Sequence, residues 1–123
     1  MTITDKIASP LENIRAYVEA CRSGDVETLA SLFAANALMW GFYRGEYYIG
    51  SPQLFFDEVR NNPCPADTGS SYIGDISGIE QHGDIAQATL SERGFLGADF
   101  TNLFQLARID GSWLIVSKAY TDV

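Results

Sequence analysis

Asp110-Gly111 is the feature that most constrains this chain. A two-residue Asp-Gly turn needs φ > 0, which Gly accepts at no steric cost and Asp tolerates. The turn joins two long runs within Asp99 to Tyr120, and both alternate with the period of a β-strand. In the first run, Phe100, Asn102, Phe104 and Leu106 share a face. In the second, Trp113, Ile115, Ser117 and Ala119 share one face, and Leu114, Val116, Lys118 and Tyr120 share the other. A ribbon of this length forms the spine of a sheet. The rest of the chain is then whatever pairs with that ribbon or covers it.

Upstream, Ser9-Pro10 predicts a helix start, with Ser as N-cap and Pro where its missing N–H costs nothing. Leu11, Ile14, Val18 and Cys21 recur at helical spacing, with Tyr17 beside them, and Ser23-Gly24 ends the run. Asp25 caps a second helix whose seam is Val26, Leu29, Ala30 and Phe33. From Ala37 to Tyr43 the period changes to two, with Leu38, Trp40 and Phe42 alternating with Met39, Gly41 and Tyr43. Arg44-Gly45-Glu46 turns the chain into a short strand, Tyr47-Tyr48-Ile49. Gly50-Ser51-Pro52 opens a third helix that runs to about Asn61. Asn62 to Gly69, with two prolines, reads as loop. Tyr72 to Gln81 is a strand in which Gly78 marks a β-bulge, and Ile85 to Phe95 is the next. The order predicts an α+β fold. About three N-terminal helices cover one face of a curved, mixed or antiparallel sheet, in a single domain over residues 1–123. Such a layer leaves a cone able to hold a small ligand.

The charge excludes some partners. A net charge of −8 disfavours nucleic acid and anionic membrane surfaces. Met1 to Lys6 has no apolar signal core and no stretch approaches 18 apolar residues, so a cytoplasmic location is expected. Cys21 falls on the first helix's apolar seam, whereas Cys64, between two prolines, is expected as an exposed loop thiol. Two cysteines and one histidine, His82, make no metal cluster, and no phosphate-binding glycine loop is present. Neither a metal nor a cofactor is expected.

The chain resembles the nuclear transport factor 2-like superfamily, and within it the putative lumazine-binding group. The resemblance rests on Ile14-Arg15-Ala16-Tyr17 with Gly24-Asp25, on Gly45 with Gly50-Ser51-Pro52 and Phe55-Phe56, and on Ile79 with Ala86-Gln87-Ala88. Above all it rests on Asp99-Phe100-Thr101-Asn102 through Gly111 to Lys118. It implies a cone-shaped fold of nuclear transport factor 2-like or cystatin-like type with a pocket at the mouth, and a homodimer packed through the sheet. Asn36 stands where relatives commonly carry an acid.

Candidate chemistry follows from the face assignments. Glu92 shares a face with Ala86, Ala88 and Leu90, so an inward carboxylate is expected there. Asp99, at the start of the Phe100 strand, is the second candidate base. An acid between apolar walls has its pKa raised towards neutrality and can move a proton to and from carbon. Asn102, between Phe100 and Phe104, is a candidate donor to a ligand carbonyl or ring nitrogen. Tyr17, Trp40, Phe42, Phe55 and Tyr120 complete an expected ligand set, with Trp40, Phe42, Phe55 and Phe100 forming a slot for a planar ring. Three functions are open: a binding module for a planar heterocycle, a small isomerase or dehydratase using Glu92 or Asp99, and an accessory domain with a filled cone.

Overall fold

The computed structural model describes residues 6–123. In chain order the elements are α1 (Pro10–Ser23), α2 (Val26–Ser31), β1 (Phe33–Tyr43), β2 (Glu46–Gly50), α3 (Gln53–Asn61), α4 (Pro65–Thr68), β3 (Ile73–His82), β4 (Ile85–Phe95), β5 (Ala98–Ile109) and β6 (Ser112–Asp122). The six strands form one sheet in the order β2-β1-β6-β5-β4-β3. All neighbours are antiparallel except β1 and β6, which run parallel. The fold is therefore α+β with a mixed sheet, and the Asp110-Gly111 hairpin lies at its centre. Asp110 and Gly111 sit at φ 51° and 81°, as their turn requires.

Local chemistry sets the helix ends. The Ser9 hydroxyl accepts from the Glu12 amide and Pro10 occupies the first turn of α1. Gly24 closes that helix in the left-handed conformation, and the Asp25 carboxylate accepts from the Thr28 amide to start α2. Three expectations are corrected. Phe33 belongs to β1 rather than to the second helix, because its backbone pairs with Ile115. Pro65–Thr68 forms one helical turn inside the expected loop, since a proline at the first helical position is tolerated. Cys64 is buried; it packs so closely on Gly24 that a Cβ there would come 2.9 Å from its own.

α1 lays Asn13, Ile14, Tyr17, Val18 and Cys21 onto the concave face of the sheet. That face presents Ala86, Ala88 and Leu90 from β4, Phe104 and Leu106 from β5, and Trp113 and Ile115 from β6. The sheet has four register shifts, one of them between Phe33 and Leu38 of β1 against β6, and the other three bear on which residues reach this face. One spans Gly78 (φ 60°) in β3, at the glycine the sequence marks. One spans Gly94 (φ 75°) near the end of β4, where a Cβ would stand 2.1 Å from the Ser71 carbonyl oxygen. The third falls in β6: Gln105 pairs with Ser117 but Leu106 with Ile115, which leaves Val116 as the extra residue. A single extra residue moves every later side chain to the other face. Trp113 and Ile115 thus share the concave face with Lys118 and Tyr120, not with Ser117 and Ala119 as strict alternation predicts. Among the described residues no helix is long and apolar enough to cross a membrane.

Candidate functional site

At the end of the concave face away from the hairpin turn, the helices leave the sheet uncovered. The opening is a cleft of about 410 Å³, within the range of small-molecule sites. Phe55 of α3, Phe95 of β4 and Phe100 of β5 form an aromatic wall. Tyr43, Tyr48 and Tyr120 contribute a second, more polar one, and Met39 lies between them. Glu46 and Glu58 stand at the mouth, where both are exposed.

Three polar side chains make the floor: Glu92, Asn102 and Lys118. The strand registers place them. Glu92 pairs with Phe100, Leu90 with Asn102, and Phe104 with Lys118, so β4, β5 and β6 bring Glu92, Asn102 and Lys118 to the same face. The Glu92 carboxylate accepts from the Tyr72 hydroxyl at 2.6 Å and from the Asn102 side-chain amide at 2.7 Å. The same Asn102 nitrogen donates to the Leu90 carbonyl at 3.2 Å. Both Glu92 oxygens are thereby engaged by protein donors. Burial is the largest influence on Tyr72, and with Cys21 and Glu92 nearby it raises the hydroxyl pKa far above its ordinary value.

Lys118 is the outlier. Its side chain belongs to a residue only 5% exposed, yet its ammonium makes no hydrogen bond or ion pair among the described residues. It sits 3.6 Å from the centre of the Phe55 ring, with the Tyr120 and Tyr17 rings at 5.4 and 5.8 Å. These contacts attract a cation through the ring quadrupoles, but they supply no acceptor. Desolvation pushes the Lys118 pKa down to about 8, against the pull of the nearby Glu92 carboxylate and the Cys21 group. A lysine at the floor of a cleft, with donors unspent, is the arrangement most able to act on a ligand carbonyl.

The structure brings together part of the set expected from sequence. Glu92, Phe55, Phe100, Asn102 and Tyr120 line the cleft. Tyr17 and Phe104 are inward but lie in the packed layer behind it. Tyr17 stacks on Phe55 at 5.7 Å and meets Phe104 edge-on at 5.0 Å. Trp40 and Phe42 are corrected. They stand on the opposite, outer face at 39% and 45% exposure, because Met39 and Gly41 take the inward positions of β1. Asp99 is also corrected. It is exposed and accepts from the Gly94 amide at 3.0 Å, so it caps the β4–β5 bulge and does not line the cleft. Sequence reasoning missed Lys118 and Phe95. Gly94, inside a strand pattern, was a usable signal for the bulge that turns Phe95 inward. Nothing in Leu114-Ile115-Val116 marks the bulge that turns Lys118 inward. Among the described residues no group of three or more His, Cys, Asp or Glu could hold a metal ion.

Comparison with known proteins bears on this geometry. A family model described as "Putative lumazine-binding" matches residues 5–121. The fold resembles a crystal structure of an NTF2-like protein of unknown function from Shewanella baltica OS155, at 25% identity and a TM-score of 0.82. That match covers 92% of this chain and 90% of the other. A similar protein of unknown function from Silicibacter pomeroyi DSS-3 is 28% identical with a TM-score of 0.80, covering 92% of each chain. A protein of unknown function with a cystatin-like fold from Nostoc punctiforme PCC 73102 matches at 16% identity and a TM-score of 0.64, over 97% of this chain and 96% of its own. No curated protein matches the sequence.

Proposed function

The chain belongs to the putative lumazine-binding family of the nuclear transport factor 2-like superfamily, and from that premise we propose that its cleft binds a small planar heterocycle bearing a carbonyl edge. The observation that carries this reading is the Lys118 ammonium, which ends a largely buried side chain at the cleft floor and has no acceptor among the described residues. The ammonium opens onto the cleft, where a ligand carbonyl would give it a charge-assisted hydrogen bond, worth about 1.5–3 kcal/mol. Phe55, Phe95 and Phe100 supply faces for a flat ring, each offset pair adding about 0.5–1.5 kcal/mol beyond burial. Lumazine has the required shape and two ring carbonyls, and flavins and pterins share them in part.

The test is a thermal-shift screen of lumazines, pterins and flavins, followed by native mass spectrometry. A ligand present at about 100 times its Kd stabilises the fold by about 2.7 kcal/mol, so a true ligand raises Tm clearly. A screen in which no member raises Tm or survives desolvation overturns the reading.

A second reading, a small acid–base enzyme of isomerase or dehydratase type, draws its support from Glu92 alone. Glu92 is a buried carboxylate that lines the cleft. Against it, both oxygens already accept from Tyr72 and Asn102, as in a fixed organising group. Deuterium uptake from D2O into a bound carbonyl compound, lost in Glu92→Gln, would move the assignment to catalysis.

We also infer that two copies pair through the outer face of the sheet. Leu38, Trp40, Phe42, Ile49 and Leu103 are exposed. Trp40 pairs with Ile49 on one side and Ala119 on the other, and Ala119 pairs with Leu103, which makes the apolar surface continuous across four strands. Monomers seldom leave such a surface in water. Trp40→Glu should shift the sedimenting species from dimer to monomer, and a wild-type chain that sediments as a monomer overturns the inference.

A further inference from the structure

We propose that Lys118 is an imine-forming amine, which adds to the carbonyl carbon of a small aldehyde or ketone bound in the cleft. The inference rests on the cleft being a ligand site and assigns a reaction to one of its atoms. Three observations carry it. The side chain is buried but its nitrogen faces the cleft floor without a hydrogen-bond partner among the described residues. Its immediate surroundings are ring faces, with Phe55 at 3.6 Å, a setting that activates a lysine by withholding water. The cleft entrance carries Glu46 and Glu58, and Glu92 lies on the floor, so the charge lining the cleft is negative on balance. That field disfavours anions and favours a neutral carbonyl compound over a carboxylate as the occupant.

The groups around the amine agree with this chemistry. Glu92 approaches from β4, Tyr17 and Cys21 from α1, and Tyr120 from β6. Desolvation outweighs the attraction of Glu92 and Cys21, so the pKa falls from 10.5 to about 8. At neutral pH roughly one lysine in ten is then the free base, against about one in three thousand for an ordinary lysine.

The step balances without any co-reactant. The nitrogen lone pair forms a C–N bond as the carbonyl π bond opens onto oxygen. Both amine protons pass to that oxygen, which leaves as water, and a C=N bond remains.

The chain supplies its own control, because Lys6 and Lys118 are its only lysines and Lys6 is exposed. The protein is incubated at pH 7 with benzaldehyde and sodium cyanoborohydride, which reduces the protonated imine to a stable benzylamine. Peptide mass spectrometry reads the adduct at each lysine, and the same reaction in urea gives the ratio for the unfolded chain. The expected result is a Lys118-to-Lys6 ratio at least tenfold above the unfolded ratio, with the cleft adduct absent in Lys118→Met. A folded ratio at or below the unfolded one overturns the proposal. Benzamide, which has the same shape but does not form imines, separates the two readings. If benzamide raises Tm while no Lys118 adduct forms, the imine assignment falls and the binding site stands. If neither effect is seen, both fall for aromatic carbonyl compounds.

Discussion

The two ends of the concave face use buried amides to opposite effect. At the closed end, Asn13 of α1 is fully buried and donates to the carbonyls of Leu32 at 3.0 Å and Trp113 at 2.9 Å. It ties the first helix to the start of β1 and to β6, amid Ile14, Leu29, Leu106 and Ile115. At the open end, Asn102 is as deeply buried, but its amide divides between the Leu90 carbonyl and the Glu92 carboxylate. One amide spends its donors on backbone and fixes the chain. The other spends a donor on an ionisable group and fixes the geometry of a cleft floor. The difference separates architecture from chemistry more sharply than burial does, since both residues are nearly inaccessible.

The sharpest way to break the comparison is at the closed end. Asn13→Leu keeps the volume but removes both donors. The Leu32 carbonyl still accepts from the Ile115 amide at 2.8 Å, so the Trp113 carbonyl bears most of the loss. A buried acceptor left unpaired costs about 1–3 kcal/mol, and the expected destabilisation is about 2–3 kcal/mol in urea unfolding. At temperatures where the variant stays folded, its affinity for a cleft ligand should remain within about twofold of wild type. A large change in affinity with little change in stability would dissolve the distinction between the ends.

At the open end the sign reverses. Lys118 titrates at about 8 in the folded chain against 10.5 as its ordinary value, so the folded state binds fewer protons between those pH values. Stability therefore rises as pH climbs from about 8 to 10.5, and the cost of burying the charge is felt in full below about 8. That cost is on the order of 3 kcal/mol. Lys118→Met removes the charge and keeps much of the stem volume. It should stabilise the protein at pH 7 by about 1–3 kcal/mol and flatten the rise between pH 8 and 10.5, while abolishing cleft binding. A gain in stability coupled to a loss of function is what a residue kept for chemistry produces. Destabilisation at pH 7 would show that the ammonium is a structural element.

Most of the architecture could be read from residue patterns, and the reason is local. Ser9-Pro10, Gly24-Asp25 and Asp110-Gly111 act through their own backbone geometry, so they declare helix ends and turns without tertiary context. Glu92 and Asn102 were legible because β4 and β5 keep strict alternation from Ala86 to Glu92 and from Phe100 to Leu106. Trp40 and Phe42 went to the wrong face because size and aromaticity do not say which side of a strand meets a helix. Met39 and Gly41 took the inner side, where Tyr120 lies so close to Gly41 that a Cβ would fall 2.1 Å from its carbonyl oxygen. Lys118 was invisible because the Val116 bulge is set by pairing with β5, a contact that no short stretch of sequence contains.

The smallest stability effect should come from Glu92→Gln, and it probes the open end alone. A glutamine keeps one oxygen to accept from Asn102, as Glu92 does at 2.7 Å. Its amide nitrogen then faces Tyr72, whose hydroxyl donates in the native chain at 2.6 Å. A phenol both donates and accepts, so the Tyr72 hydroxyl can turn and receive that N–H. With the Asn102 and Tyr72 contacts both kept as hydrogen bonds, the loss should be about 1 kcal/mol. The electrostatic effect does not cancel in the same way. Glu92 is the leading group pulling the Lys118 pKa upwards, and its charge is gone in the variant. The Lys118 pKa should therefore fall below about 8, read by NMR titration of the reductively methylated lysine against Lys6 as an exposed reference. A near-unchanged fold with a displaced lysine titration would show that Glu92 acts on the cleft through its charge. An unchanged titration would show that desolvation by Phe55 and its neighbours sets the amine by itself.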